Sequence, residues 1–174
     1  MAEYTSRSFD LLTLGQLLLR LSPPDNDRLS RGDTFVKQVG GAELNVAVGA
    51  SLLGLRTGVI SKLPSHDIGS FMKGKIRSFG VSDDFFMYDD SPSARVGIYY
   101  YENGAYPRKP KVIYDRMNSS FFSLNIDEIP KEVYTASKCF HTTGITLALS
   151  PQIRETTIEM IKRFKEAGTW FPLT

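Results

Sequence analysis

Cysteine is almost absent from this chain of 174 residues, and Cys139 is the only one. A single cysteine excludes an internal disulfide, which is usual for proteins of the reducing cytoplasm. Because Cys139 adjoins Phe140 in an apolar segment, we expect a buried, unreactive thiol. Histidine is nearly as scarce, since His66 and His141 stand alone without a second ligand at zinc-site spacing. The sequence therefore predicts neither a metal site nor histidine catalysis.

Long apolar runs and a strong excess of charge are also missing. The leucine run at 17–19 ends at Arg20 and is far too short to cross a bilayer. The N-terminal residues lack the basic start and apolar core of a signal peptide. The chain has 21 basic and 19 acidic side chains, and the net charge of +2 is too small to indicate nucleic-acid binding. We expect a soluble cytoplasmic protein with neither nucleic-acid nor membrane partners.

Short apolar segments alternate with amphipathic segments along most of the chain. Strands are predicted at 9–15, 58–60 and 138–143, and helices at 42–53, 67–79 and 150–167. Ser150 is a favourable N-cap, and Pro151 suits the first position of the last helix. In the first helix, apolar residues recur at helical spacing at Leu44, Val48, Leu52 and Leu53. Strands that alternate with helices predict an α/β domain with a mainly parallel sheet.

Other segments indicate a second, smaller sheet. Consecutive strands without helices are predicted at 17–21, 35–39, 95–101 and 111–114, the last two around a turn at Asn103-Gly104. The apolar pair Phe85-Phe86 is assigned to the same ribbon. We predict a partial, ribokinase-like α/β substrate domain with a partly parallel sheet, a small β-lid and an irregular tail. Their ranges are 9–16, 40–94 and 117–168 for the domain, 17–39 and 95–116 for the lid, and 169–174 for the tail.

Some conspicuous residues receive no functional role. The acidic pairs Asp83-Asp84 and Asp89-Asp90 stand in turn-like sequence, so we expect solvated side chains. Trp170 and Phe171 have no evident partner near the end of the chain, where poor order is common.

The segment at 40–45 combines a glycine pair with the start of a helix. Glycine allows a ligand to approach the backbone closely, and the first turn of a helix has free N–H groups. Asn45 follows Gly41 by four residues and therefore lies on the same face of the helix. This geometry suits a polyhydroxylated ligand that rests on the turn and hydrogen-bonds to Asn45. An ordinary glycine turn with a solvated Asn45 is the alternative.

The motif GGAELNVA at 40–47, followed by LGL at 53–55 and GVISKLP at 58–64, resembles the first signature of the ribokinase-like (PfkB-type) sugar kinases. The sequence DIG at 67–69 is similar to the helix start that follows in that family. Farther on, GIY, VIYDR and TGITLALS, which start at residues 97, 112 and 143, resemble the 2-keto-3-deoxygluconate kinases. The resemblance implies the ribokinase-like fold and phosphorylation of a sugar acid that depends on ATP and magnesium.

By this resemblance, the sugar pocket consists of Gly40, Gly41, Asn45, Tyr99, Tyr114, Arg116 and the backbone of Ile145. A 2-keto-3-deoxy acid carries a carboxylate, and the planar guanidinium of Arg116 suits it as a bidentate partner. Tyrosine combines a flat apolar face with a phenol that reaches hydroxyls. From the residues alone, Arg116 could equally be a surface arginine paired with Asp115 or Asp83.

A homodimer through the lid is also expected. The resemblance implies that two lids pair face to face. The tyrosines at 99, 100, 101 and 106 supply more apolar surface than a thin, two-sided sheet can hide.

Two departures from the family pattern matter. The first strand of relatives usually ends in Gly-Glu or Gly-Asp, whereas this one ends in Gly15-Gln16, and Gln16 could still hydrogen-bond to a sugar hydroxyl. The family's glycine-rich anion hole and its catalytic Asp in a Gly-Ala-Gly-Asp motif have no counterpart in the 174 residues. We therefore expect an N-terminal half that is truncated before the ATP-binding half, has no catalytic residue, and is inactive alone.

Three functions stay open. The chain is an incomplete copy of a 2-keto-3-deoxygluconate kinase, a non-catalytic module for sugar binding or assembly, or a fragment of a kinase for fructose or a nucleoside. Arg116 would be irrelevant for the last of these, because such substrates have no carboxylate.

Overall fold

In a computed structural model, which describes residues 7–172, the chain forms two β-sheets and five helices. Residues 1–6, whose sequence argued against a signal peptide, and residues 173–174 of the predicted tail lie outside this part. The strands are β1 Phe9–Leu14, β2 Leu18–Ser22, β3 Val36–Gly40, β4 Thr57–Pro64, β5 Val81–Asp89, β6 Gly97–Glu102, β7 Lys111–Asp115 and β8 Ser137–His141. The helices are α1 Ala42–Leu52, α2 Asp67–Ser78, α3 Val133–Ala136, α4 Gly144–Leu147 and α5 Pro151–Glu166.

The main sheet has the strand order β5-β4-β1-β8, and all its strand pairs are parallel. Both of its faces are covered. In β4, Val59 belongs to the core cluster with α1 and α2, whereas its neighbour Ile60 belongs to the cluster with α5. All eight residues of β4 are buried, as expected of a parallel strand between two helical layers. The predicted α/β fold class is confirmed.

The second sheet has the strand order β3-β2-β6-β7. Strand β2 is parallel to β6, and the other two pairs are antiparallel. Its strands fall within the segments 17–39 and 95–116, except that β3 extends to Gly40. Because β3 ends where α1 begins, the second sheet is joined directly to the first turn of that helix.

The assignment of Phe85-Phe86 to the small sheet is wrong. Both residues lie in β5, which pairs with β4 at the edge of the main sheet. Asp83, expected to be solvated, is buried in the same strand. Its carboxylate lies 2.6 Å from Arg77 Nε and 3.3 Å from Lys73 Nζ of α2. These cations hold the pKa of Asp83 below its usual value, although burial opposes them.

The end of the described chain is more regular than the sequence predicts. Trp170 forms a parallel bridge with Cys139 of β8, and its carbonyl accepts a hydrogen bond from Phe140 N at 2.9 Å. Phe171 stacks on Phe140 with 5.8 Å between ring centroids. The edge strand β8 offers unpaired backbone groups, and residues 169–172 use some of them.

The three long helices lie close to their predicted positions, but the apolar spacing of α1 is misleading. Only the first half of α1 contributes buried residues, among them Leu44. Leu52 and Leu53 are 76% and 84% exposed. In α5, Ser150 caps the helix as predicted, since its side chain accepts a hydrogen bond from Ile153 N. No helix in residues 7–172 is long and apolar enough to cross a membrane.

Candidate functional site

A cavity of about 300 Å³ lies between the second sheet and the first turn of α1. Its walls are formed by Gln16, Leu18, Arg20, Gly41, Ala42, Glu43, Asn45, Tyr99, Tyr101, Val112, Tyr114, Arg116 and Ile145. Six of the seven residues predicted for the sugar pocket are therefore brought together, and Gly40 is the exception. A larger depression of about 550 Å³ beside α5 contains none of the predicted residues, so the smaller cavity is the candidate site.

One face of the second sheet forms a wall of the cavity. Strand residues alternate between the two faces of a sheet, so every second residue of each strand points the same way. Arg20 of β2 lies opposite Tyr99 of β6, and Tyr99 lies opposite Tyr114 of β7. Leu18, Tyr101 and Val112 occupy the neighbouring rows on this face. The row of Arg20 and two tyrosines thus faces the glycine turn across the cavity.

The glycine pair allows two close approaches. Gly41 has φ +155°, and a Cβ atom there would lie 2.9 Å from the carbonyl oxygen of Gln16. A Cβ atom at Gly40 would lie 2.6 Å from Tyr99 Oη. Gly40 therefore acts behind the cavity wall by leaving room for the ring of Tyr99. Asn45 is exposed on the first turn of α1, and its side chain makes no hydrogen bond within the described residues.

Gln16 holds Arg116 in place. Arg116 Nε donates to Gln16 Oε1 at 2.8 Å, and Gln16 Nε2 donates to the carbonyl of Arg116 at 2.9 Å and to Ser119 Oγ at 2.8 Å. Both amide protons of Gln16 are used in this way, so Gln16 positions Arg116 rather than donating to a sugar. The sequence analysis treated Gln16 as a departure from the family pattern that could hydrogen-bond to a sugar hydroxyl, and it missed this role.

Arg116 is not paired with either of the carboxylates considered from the sequence. Asp115 pairs with Arg95 at 2.8 Å, and Asp83 pairs with α2. Within residues 7–172, no carboxylate lies within 4.0 Å of the Arg116 guanidinium. Burial lowers its pKa, yet a guanidinium stays charged at neutral pH. The cavity thus contains a fixed cation with free terminal nitrogens.

Two tyrosines stand beside this cation. The rings of Tyr99 and Tyr114 have centroids 6.0 Å apart, and the guanidinium carbon of Arg116 lies 5.7 Å from the ring centroid of Tyr114. Burial raises the pKa of Tyr99, so its phenol is protonated at neutral pH and can donate a hydrogen bond. Tyr114 is more exposed, at the mouth of the cavity.

Glu43 is a site residue that sequence reasoning missed. It is only 2% exposed, and its Oε1 accepts hydrogen bonds from Thr143 N at 3.2 Å, Thr143 Oγ1 at 2.5 Å and Thr146 Oγ1 at 2.7 Å. These bonds attach α4 to the first turn of α1 and place Ile145 at the cavity. Acidic residues are common and solvated in first helical turns, so nothing local distinguished this one.

The described residues do not fit an ATP–magnesium site. No group of three or more His, Cys, Asp or Glu side chains in residues 7–172 could hold a metal ion. His141 is buried, but it belongs to no such group. Glu43 is the one acidic residue in the cavity wall, and three hydrogen bonds already occupy its Oε1. The cavity wall combines Arg116, two tyrosines and the exposed amide of Asn45, a set of groups that suits a polar anion.

Comparisons with known proteins identify sugar-acid kinases as relatives of this chain. A 2-dehydro-3-deoxygalactonokinase of Haloferax volcanii is 39% identical over 160 residues, which cover 92% of this chain and 49% of that protein. A 2-dehydro-3-deoxygluconokinase of Bacillus subtilis is 29% identical over 161 residues, or 91% and 48% of the two chains. This chain thus spans about half the length of the curated relatives it matches.

Solved structures give the same picture. The 2-dehydro-3-deoxygluconokinase of Thermotoga maritima has a TM-score of 0.88 at 33% identity, with 95% of this chain and 50% of that chain covered. A sugar kinase of Pyrococcus horikoshii in complex with ATP has a TM-score of 0.80, but at 24% identity it shows the fold alone. Residues 8–173 match the family described as pfkB family carbohydrate kinase. The chain belongs to the pfkB family of carbohydrate kinases.

Proposed function

We propose that this chain is the sugar-acid-binding part of a kinase that phosphorylates 2-keto-3-deoxygluconate or a closely similar acid with ATP. The observation that carries the proposal is Arg116, whose guanidinium is fixed by Gln16 inside the cavity and has no carboxylate partner in the described chain. A half-buried cation of this kind is a receptor for an anion, and the ligand's carboxylate supplies one.

The remaining wall residues suit the hydroxylated part of such a ligand. Asn45 offers an amide with free donors and an acceptor, and Tyr99 offers a protonated phenol. Tyr114 and Ile145 supply apolar contact for the carbon chain. The names of the Haloferax and Bacillus relatives, which are kinases of 2-keto-3-deoxy sugar acids, support this substrate class.

ATP and magnesium remain part of the proposed reaction, as the family implies. Their site is not formed by residues 7–172, so we propose that the chain 1–174 binds the acid but does not transfer phosphate by itself. The base that would activate the substrate hydroxyl is likewise not assigned to any residue of this chain. A cytoplasmic location is also retained as a prediction.

The substrate class is tested by titration calorimetry of 2-keto-3-deoxygluconate against fructose, an uncharged ketose of equal carbon number. Arg116→Ala should weaken binding of the acid by about 2 kcal/mol or more, which is about 30-fold. Binding of fructose should change little. Arg28→Ala, which removes an exposed arginine outside the cavity, is the matched control. Equal losses for the acid and for fructose would show that Arg116 does not bind the carboxylate.

We further propose that the second sheet mediates a homodimer. Phe35, Val36 and Ile113 are each more than 40% exposed on this sheet or beside it, and Tyr106 is fully exposed. Tyr99 and Tyr101, which the sequence also assigned to this contact, line the cavity instead.

Light scattering of the wild type should give twice the chain mass. Ile113→Lys should shift the protein toward monomer, because dimerisation would then bury the lysine charge in the interface between the two sheets. Leu53→Lys, which changes an exposed leucine at the end of α1, is the control. A wild-type protein that stays monomeric at high concentration would contradict the proposal.

A further inference from the structure

Gln16 lies where the chain passes from the main sheet to the second sheet, in the short connection between β1 and β2. It is only 3% exposed and departs from the acidic residue of the family pattern. A buried polar side chain needs hydrogen-bond partners, and a buried charge needs an opposite charge as well. An amide in place of a carboxylate therefore changes the electrostatics of the groups that it contacts.

Both ends of the Gln16 amide contact Arg116. Oε1 accepts a hydrogen bond from Arg116 Nε at 2.8 Å, and Nε2 donates to the backbone carbonyl of the same arginine at 2.9 Å. The guanidinium can only donate and the carbonyl can only accept, so these two partners fix the orientation of the amide. An ionised glutamate side chain has no donor. In the same place it would turn a second acceptor toward the carbonyl oxygen and lose that hydrogen bond.

The surrounding chain is shaped to this contact. Ser119 Oγ lies 2.8 Å from Gln16 Nε2, so the second proton of the amide also has an acceptor. A Cβ atom at Gly97 would lie 3.0 Å from Gln16 Nε2 and 3.3 Å from Arg116 Cα. Gly97 therefore leaves the space in which the amide and the arginine meet. The guanidinium is held in one orientation by a buried group without free donors.

The amide orients Arg116 but does not neutralise it. Glu43 is the acidic residue of the cavity wall, and its Oε1 already accepts three hydrogen bonds from Thr143 and Thr146. Opposite charges at hydrogen-bond distance attract strongly in a half-buried site, where water screens them less than in solution. A carboxylate at position 16 would therefore compete with the carboxylate of a ligand for the charge of Arg116.

We propose that Gln16 is a specificity-determining positioning residue, whose neutral amide orients Arg116 and leaves its charge available to a carboxylate ligand. The inference rests on the proposed function and identifies what sets the preference of that site for an acid over its uncharged counterpart. An anion binds most tightly to a guanidinium that is oriented in advance and has no internal counter-ion. Gln16 provides both properties, whereas a carboxylate would provide only the first.

The test measures the acid preference of each variant, which is the ratio of its affinities for 2-keto-3-deoxygluconate and for the uncharged amide of that acid. Titration calorimetry of the chain 1–174 at neutral pH gives both affinities. Gln16→Glu should lower the ratio about tenfold or more, through loss of affinity for the acid. Gln16→Met removes the hydrogen bonds without adding charge, so it should lower the ratio by no more than about threefold. Gln152→Glu adds the same charge at an exposed position outside the cavity and should leave both affinities unchanged.

The outcomes separate this inference from the proposed function. A wild-type ratio in Gln16→Glu overturns the inference. A ratio in Gln16→Met that falls tenfold or more also overturns it, because orientation alone would then explain the preference. Both results leave the proposed function standing if the wild type prefers the acid. A wild type that binds neither ligand, or binds both equally, overturns the proposed function and the inference together.

Misfolding is excluded by a second measurement. Thermal unfolding of each variant, together with retained binding of the uncharged amide, shows that the cavity is formed. The Gln16→Met ratio tests the inference even if Gln16→Glu does not fold, since that variant adds no buried charge.

Discussion

At the scale of single residues, buried hydrogen-bonding groups determine the geometry of the site. Glu43 is the strongest example, because one carboxylate oxygen is the acceptor for a backbone N–H and two threonine hydroxyls from a segment 100 positions later. Gln16 likewise fixes Arg116, whose Nε donates a hydrogen bond to Gln16 Oε1. Both residues fix the positions of other groups in the cavity wall.

Replacing Glu43 tests this role. Glu43→Ala leaves Thr143 and Thr146 without their buried acceptor, so the free energy of unfolding should fall by about 3 kcal/mol. Glu43→Gln keeps a carbonyl oxygen at the same distance from the helix and should cost only about 1 kcal/mol. Urea unfolding of the two variants measures both values. An alanine variant as stable as the wild type would show that the three hydrogen bonds contribute nothing to folding.

At the scale of elements, the junction between β3 and α1 brings the second sheet to the cavity. The strand ends at Gly40 and the helix begins at Ala42, so only Gly41 separates a wall of the cavity from its floor. The close approach of Gly40 to Tyr99 makes the position of that ring sensitive to the size of residue 40. Binding and stability should therefore respond differently to a methyl group at this position.

Gly40→Ala should push the ring of Tyr99 toward the cavity. The contacting atoms belong to a side chain that can move, and Gly40 has no positive φ. The free energy of unfolding should therefore change by less than about 1 kcal/mol. Affinity for the sugar acid should fall about tenfold, because the ring then occupies ligand space. Gly49→Ala in α1 is the matched control, since nothing lies within 4 Å of its new methyl group. It should stabilise the helix by about 0.5–1 kcal/mol and leave binding intact. If Gly40→Ala binds the sugar acid with unchanged affinity, then the close contact between residue 40 and Tyr99 does not control ligand binding.

At the scale of the whole molecule, we propose that the chain binds a sugar acid but does not transfer phosphate by itself. Transfer needs charge neutralisation at the γ-phosphate and a base for the attacking hydroxyl. The cavity has one acidic side chain, Glu43, which is committed to structure, and the sequence has no Gly-x-Gly-Asp or P-loop motif.

The purified chain 1–174 should show no ATP-dependent phosphorylation of 2-keto-3-deoxygluconate in the presence of magnesium. Transfer of label from γ-labelled ATP to the sugar measures this directly. The Arg116→Ala chain, prepared identically, reports contamination by host kinases, because such activity does not depend on Arg116. Turnover that Arg116→Ala abolishes would contradict the prediction and would require a catalytic acid within these 174 residues.

Much of this architecture could be predicted from the sequence, because the relevant information is local. Helix α5 is specified by Ser150, Pro151 and its apolar spacing, and the glycine pair marks the start of α1. The positions of the site residues in β6 and β7 followed from motifs a few residues long. Gly41, Tyr99 and Arg116 were assigned to one pocket through the resemblance of these motifs to the sugar kinases, and not from periodicity or spacing.

The tertiary structure decided what local pattern leaves unspecified, namely which element lies beside which. Phe85-Phe86 has the composition of any apolar strand, and only the pairing of β5 with β4 assigns it to the main sheet. The sequence around Asp83 predicts a solvated turn residue, whereas in the structure its carboxylate is buried against Lys73 and Arg77 of α2. The bonds from Gln16 to Arg116 and from Thr143 to Glu43 each join residues 100 positions apart. No periodicity within a strand or helix encodes such contacts, because they depend on how the chain closes over itself. Arg20 is a further example. Alternation along β2 determines which face of the sheet it lies on, but only the pairing of β2 with β6 places it beside Tyr99 in the cavity wall.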